Sequence, residues 1–184
     1  MREIEIKARL DNVASIVTAI AGLGGHMSEP VTQRDRVYGV PGTPGASDNT
    51  DPWLRIRTQT KGASVRYYFT LKKSITNQLD SIEHETEVSN DEELKKIIEH
   101  LNFVPYSDLT KTRRTAKLGA VEVCVDHINQ LGDFIELEKL TAEDVVYDDV
   151  VQELWGILES FGVPKSQELT DGYDVLLNKH LGIA

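Results

Sequence analysis

Hydrophobic and charged residues alternate along Glu3-Ile4-Glu5-Ile6-Lys7. A β-strand turns successive side chains to opposite faces, so Ile4 and Ile6 point one way and Glu3, Glu5 and Lys7 the other. The pattern recurs down the chain. Trp53-Leu54-Arg55-Ile56-Arg57 sets Arg55 and Arg57 opposite Leu54 and Ile56, and Arg66 and Lys72 share a face opposite Phe69 and Leu71. Glu83, Glu85 and Glu87 alternate with His84 and Thr86, and Lys111 and Arg113 share a parity. Val121, Val123 and Val125 oppose Glu122, Cys124 and Asp126, and Phe134-Ile135-Glu136-Leu137-Glu138 repeats the opening motif.

This pattern predicts strands over about 2–9, 32–38, 53–59, 64–73, 82–88, 108–117, 120–127 and 133–139. Helices are expected over 12–23, capped by Asp11 and ended by Gly24-Gly25, and from the capping-box sequence Ser89-Asn90-Asp91-Glu92 to about 101. Two more are expected at about 147–161 and 172–181. Residues 39–52 hold three of the six prolines and read as a loop, and 74–81 read as a mobile loop. Short antiparallel strands with hairpin-length turns predict an α+β fold. Its eight-stranded antiparallel barrel carries helices on the outside and encloses room for one small ligand. No stretch looks like an interdomain linker, so residues 1–184 are expected to form one domain.

Charge changes the picture. A sheet with one wet face usually mixes Thr, Ser, Gln and Lys on that face. Here the polar faces carry carboxylates and Arg or Lys, grouped strand by strand. Two carboxylates at i and i+2 lie about 7 Å apart and repel by roughly 2 kcal/mol at an effective dielectric near 20. Such strands need cations opposite them, either the basic strands or divalent metal. The alternative is a lattice of ion pairs on an exposed sheet face, a reading that weakens as the pattern recurs from strand to strand.

The net charge of −10 argues against a nucleic-acid-binding surface. There is no run of 18 apolar residues and no apolar leader, so neither membrane insertion nor secretion is expected. The single cysteine, Cys124, excludes an internal disulfide framework, and these features together predict a cytoplasmic protein. Cys124 is expected to be a small lining residue. None of the five histidines has metal-binding spacing.

If the charged parity faces inward, Lys7, Arg55, Arg57, Lys72, Lys111 and Arg113 suit a triphosphate. Glu3, Glu5, Asp126, Glu136 and Glu138 are hard oxygen ligands suited to Mg²⁺ or Mn²⁺. Glu85 and Glu87 either join them or pair across strands with a basic neighbour. Arg66 and Glu122 read as charges at a mouth of the barrel or as structural ones. Lys73 and Arg114 have the opposite parity, and Trp53 and Trp155 read as packing residues.

The ordered set formed by Glu3-Ile4-Glu5-Ile6-Lys7, Arg55-Ile56-Arg57, Lys72, Glu85-Thr86-Glu87, Lys111-Thr112-Arg113, Asp126 and Glu136-Leu137-Glu138 resembles the CYTH domain of the triphosphate tunnel metalloenzymes. Within that family, Asp126 to Glu136, Gln33-Arg34-Asp35 and Gly172-Tyr173-Asp174-Val175-Leu176-Leu177 resemble class IV adenylyl cyclases. Gly172 stands where the branch has Ser, and the loop at 39–52 is longer than in the family pattern. The resemblance implies metal-dependent action on ATP or tripolyphosphate in a tunnel, with Glu5, Lys7 and Glu136 at the reacting centre, and a homodimer. ATP would yield cyclic AMP and pyrophosphate. The alternatives are hydrolysis of tripolyphosphate or of a nucleoside or thiamine triphosphate, and a non-catalytic triphosphate sensor.

Overall fold

The computed structural model describes residues 2–42 and 51–183. Among these residues nine strands and four α-helices follow in the order β1 (Arg2–Leu10), α1 (Val13–Gly22), β2 (Val31–Gly39), β3 (Trp53–Lys61), β4 (Ser64–Asn77), β5 (Asp80–Val88), α2 (Asp91–His100), β6 (Val104–Leu118), β7 (Val121–Ile128), β8 (Gly132–Thr141), α3 (Tyr147–Ser160), β9 (Glu168–Leu169) and α4 (Tyr173–Leu181). Neighbouring strands pair antiparallel in the order β5-β4-β3-β2-β6-β7-β8-β1, and β1 returns to β5, which closes an eight-stranded barrel.

The predicted parity sets the two faces of this barrel. Outward-facing Ile4, Ile6, Ala8, Val121, Val123, Ile135 and Leu137 form a core with Ile16 and Ile20 of α1 and Val150, Leu154, Trp155 and Leu158 of α3. On the opposite side Leu54 and Ile56 of β3 meet Ile98 of α2. The hydrophobic core therefore lies between barrel and helices, and the barrel interior is left to polar side chains.

Several local expectations are corrected. Asn12, not Asp11, caps α1 by accepting from Ser15 N. β6 begins four residues earlier than the 108–117 pattern suggested. The segment 74–81, expected to be a mobile loop, continues β4 to Asn77, turns at Gln78-Leu79 and starts β5 at Asp80. Its one buried carboxylate, Asp80, is satisfied internally. Asp80 is fully buried, receives Arg2 Nε and Nη2 at 2.8 and 3.0 Å, and accepts from Thr76 Oγ1 at 2.7 Å. This hairpin end seals the barrel, because Arg2–Ile4 of β1 pair with Asp80–Ile82. Residues 43–50 of the expected 39–52 loop lie outside the described residues.

β1 runs past the end of β5, and β9 takes up its free edge opposite Lys7 and Ala8. α4 then lies over this end of the barrel, where Asn178 Nδ2 donates to Tyr106 O at 3.1 Å. Leu109, Ile128 and Phe134 pack with Tyr173 and Leu177 of α4 into a small apolar plug. No helix among the described residues is long and apolar enough to cross a membrane.

Candidate active site

The barrel encloses a cavity of about 490 Å³ lined by the inward parity of its strands and by Gly172, Tyr173 and Asp174 at the start of α4. All six predicted cations line it: Lys7, Arg55, Arg57, Lys72, Lys111 and Arg113. Glu3, Glu5, Glu85, Glu136 and Glu138 line it too. Lys73 is exposed, and Arg114 turns away to donate to Ser28 O. Arg66 and Glu87 are exposed, 3.8 Å apart, and do not line the cavity, whereas Glu122 does.

Strand register brings the acids together. Glu5 lies opposite Glu138, and Lys7 opposite Glu136, on β1 and β8. Carboxylate oxygens of Glu5, Glu136 and Glu138 lie within 4.8 Å of one another, close enough to share one ion. Lys7 Nζ sits among them, 3.0 Å from Glu136 and 3.7 Å from Glu5, and also donates to Asp171 O. Arg113 reaches Glu138 at 3.1 Å and contacts Glu136 closely.

The three carboxyls differ electrostatically. Burial and then the Glu136 charge raise Glu5 above its ordinary range. Burial, with the neighbouring Glu3, Glu136 and Glu5 outweighing Arg113, pushes Glu138 up to about 7. Burial also acts on Glu136, but Lys7, Arg113 and Lys111 outweigh it and hold this carboxylate well below its ordinary value. The cluster is thus short of positive charge at Glu5 and Glu138. All its donors are hard oxygens, the set that Mg²⁺ and Mn²⁺ prefer.

Each of the six predicted cations is held by an acid. Arg57 makes two bonds to Asp35, at 2.7 and 2.8 Å. Arg55 bonds Thr70 Oγ1 at 3.2 Å and Glu85 at 3.3 Å. Lys72 lies 2.8 Å from Glu3 and 2.7 Å from Glu83. Lys111 and Arg113 converge on Asp126, which is fully buried and does not line the cavity. Burial and the adjacent Arg113 depress the Lys111 pKa. Cys124 is buried, with Sγ 3.4 Å from Glu138 Oε1.

Sequence reading missed several lining residues. Asp35 and Glu83 share the inward parity, and parity alone would have found them. Trp53 also has that parity, lines the cavity, and leaves its indole Nε1 without a partner. Gln33 and Gln59 add a pair of neutral amides to the wall. Tyr173 and Asp174 come from a helix start, where strand parity carries no signal. Among the described residues, eight buried side-chain polar atoms lack a partner, and four of them belong to cavity residues: Gln33, Trp53, Arg55 and Tyr173. Buried polar groups are normally satisfied, so this concentration marks a place built for an occupant.

Two relatives share sequence over nearly their whole length. A Methanocaldococcus jannaschii protein named "Putative adenylate cyclase MJ0240" is 27% identical over 94% of this chain and 97% of its own. "Adenylate cyclase CyaB" of Aeromonas hydrophila is 24% identical over 97% of this chain and 90% of its own. Among solved structures, the PH1819 protein of Pyrococcus horikoshii superposes with a TM-score of 0.81 at 24% identity, covering 96% of this chain and 99% of that one. A Hippeastrum protein described as a "putative adenylyl cyclase" with a dominant triphosphatase activity superposes with a TM-score of 0.59 at 18% identity, over 100% of this chain and 97% of that one. The family model for the CYTH domain matches residues 1–173, and the chain belongs to that family.

Proposed function

We propose that this chain is a divalent-metal-dependent enzyme acting on triphosphates, and that it converts ATP to cyclic AMP and pyrophosphate. One observation carries the reading: Glu5, Glu136 and Glu138 meet inside a closed barrel that also presents Lys7, Arg55, Arg57, Lys72, Lys111 and Arg113 to the same cavity. Membership of the CYTH family and the cyclase names of two relatives support it.

Charge balance supports a metal. Ten carboxylate residues line the cavity against seven Lys and Arg. A bound triphosphate would add about four negative charges, which these side chains alone do not neutralise. Glu5, Glu136 and Glu138 would hold the ion, with Glu3 close by. A divalent ion supplies charge neutralisation at the phosphate oxygens.

The chain's own groups do the rest. Arg57 and Arg113 are fixed by Asp35 and Asp126, so their remaining donors meet phosphate oxygens with little reorganisation. Lys7, which touches Glu136 and Glu5, is placed to carry charge between the acids and the phosphates. In the cyclase step the ribose 3′-oxygen forms a bond to the α-phosphorus, its proton is lost, and the bond to pyrophosphate breaks. The enclosing barrel keeps bulk water from competing with the ribose oxygen.

Hydrolysis of a triphosphate by water in the same cavity is the second reading, favoured by the description of the Hippeastrum neighbour. Chromatography of products from ATP and from tripolyphosphate, each with Mg²⁺ and with Mn²⁺, decides between them. Cyclic AMP with pyrophosphate is expected. Orthophosphate, formed fastest from tripolyphosphate, would establish the second reading. Tight binding without product would make the protein a sensor.

A further inference from the structure

Most of the cavity wall is charged, and on neighbouring strands it also carries a pair of side-chain amides, Gln33 and Gln59. Gln33 on β2 lies opposite Gln59 on β3 and opposite Lys111 on β6. Gln33 is 4% exposed, lines the cavity, and donates from Nε2 to Gln59 Oε1 at 2.8 Å. Its own carbonyl, Oε1, is buried with no hydrogen-bond partner among the described residues. The nearby cations point elsewhere: Lys111 bonds Asp126 and Arg57 bonds Asp35, and neither donates to this oxygen.

A buried carbonyl without a donor is costly, so this position is built for a group that brings an N–H or O–H. A fully ionised triphosphate chain offers only acceptors. Metal ions have ten carboxylates in the same cavity to choose from and little reason to select one amide. The missing donor therefore belongs to the organic end of a substrate. Gln59 fixes the Gln33 amide, which leaves the carbonyl and the second Nε2 hydrogen free, an acceptor beside a donor. That edge complements adenine, which sets an amino group beside a ring nitrogen.

We propose that the Gln33 amide, held by Gln59, reads the base of an adenine nucleotide through its exocyclic amino group. This rests on the reading that the cavity binds triphosphates, and it adds a means of distinguishing a nucleotide from tripolyphosphate. A site built to bond an amino group discriminates sharply against ligands that lack one, because its polar atom is then left unpaired.

The test compares apparent affinity, as Kd or as KM where turnover occurs, for ATP, inosine triphosphate and tripolyphosphate with Mg²⁺. Wild type is compared with Gln33→Leu and Gln59→Leu. Inosine triphosphate carries a carbonyl in place of the amino group. Wild type should favour ATP over inosine triphosphate about tenfold. Gln33→Leu should abolish that preference and leave tripolyphosphate affinity unchanged, which also shows that the variant is folded. Gln59→Leu should have the same effect at smaller size. Equal losses for ATP and inosine triphosphate would place the contact on the ribose and overturn the proposal, as would no change in any ligand, the result expected if water satisfies Oε1. Parallel losses for all three ligands would make Gln33 a general wall residue and overturn it too. A wild type that binds tripolyphosphate but not ATP would overturn this inference alone. A wild type that binds neither would overturn the triphosphate reading with it.

Discussion

Arg113 grips Asp126 through two parallel bonds, Nε to Oδ1 at 2.7 Å and Nη2 to Oδ2 at 2.6 Å, with Asp126 fully shielded from solvent. Lys111 adds a third bond to the same carboxylate at 3.1 Å. The inward charged parity suggested a metal ligand here. The placement instead favours an anchor that aims two cations at the cavity. Removing one partner of a buried ion pair costs roughly 3–5 kcal/mol, so Asp126→Asn should lose stability of that order in urea unfolding. Its Mn²⁺ affinity, measured on the folded protein, should fall far less than that of Glu136→Gln. Unchanged stability with lost Mn²⁺ binding would make Asp126 a ligand after all.

Glu138 predicts a pH effect. Burial, with the neighbouring Glu3, Glu136 and Glu5, pushes its pKa up to about 7, against an unfolded value of 4.5. Between those values the folded protein holds a proton that the unfolded chain has lost. Stability therefore falls as pH rises through this window, and the loss is complete above the folded pKa. Glu138→Gln removes this contribution while other titrating groups stay in common. Melting of the metal-free proteins from pH 5 to pH 8 should show the variant gaining on wild type as pH rises. Mn²⁺ should then raise the wild-type Tm at pH 8 more than that of the variant. A constant difference between the two proteins across the range would refute the raised pKa.

Tyr173 is a seat for two cations. Lys7 Nζ lies 4.2 Å from its ring centroid and Lys111 Nζ 4.9 Å, and the ring tilts against Phe134 at 5.1 Å. Desolvated cation–π contacts are worth about 2 kcal/mol. Tyr173→Phe keeps the ring and should change tripolyphosphate affinity less than about threefold. Tyr173→Leu removes the seat and should weaken binding tenfold or more, an estimate that follows from one such contact at about 1.4 kcal/mol per decade. Equal effects of the two substitutions would transfer the role to the hydroxyl.

The barrel wall was legible because a strand's period is two: Glu3, Glu5 and Lys7 announce their shared face without any knowledge of partners. What closes the barrel was not legible. The seam between β1 and β5 depends on Arg2 meeting Asp80, 78 residues away, and on polar residues whose composition says loop. β9 has two residues, too few to carry a period. At the site, parity picks out every cation that lines the cavity from a barrel strand, but it cannot say how far along a strand the cavity extends: Lys61 shares the parity of Arg55 and Arg57 and lies past the expected strand end at 59. Glu87 has the right parity and yet lies beyond the cavity. Nor does parity separate Asp126, sealed behind Arg113, from Glu136, which faces the cavity. Tyr173 and Gln33 needed the three-dimensional arrangement, the first because a helix delivers it and the second because a lone amide has no signature.

Gly172 tests how tightly the end of the barrel is built. It caps α4 with ordinary backbone angles, φ −64° and ψ 157°, but α4 has no side-chain cap. A Cβ at Gly172 would crowd Asp174 Oδ1 and approach Gln78 Oε1 at 3.5 Å, and Gln78 already accepts from Gly172 N at 2.9 Å. The crowded atom is the tip of a side chain that can rotate, not backbone. The backbone N–H groups at the start of α4 favour the ionised Asp174 carboxylate, and a serine hydroxyl introduced at the cap can accept from the same N–H groups. Replacing Gly by a residue that fits the same backbone angles also reduces unfolded-state freedom, worth about 0.4–1 kcal/mol. Gly172→Ser should therefore raise Tm by about 1–4 °C for a chain of this size, with tripolyphosphate affinity within about twofold of wild type. A lowered Tm would mean that Asp174 cannot yield its place, and that this carboxyl is fixed by the cavity rather than by the first turn of its helix.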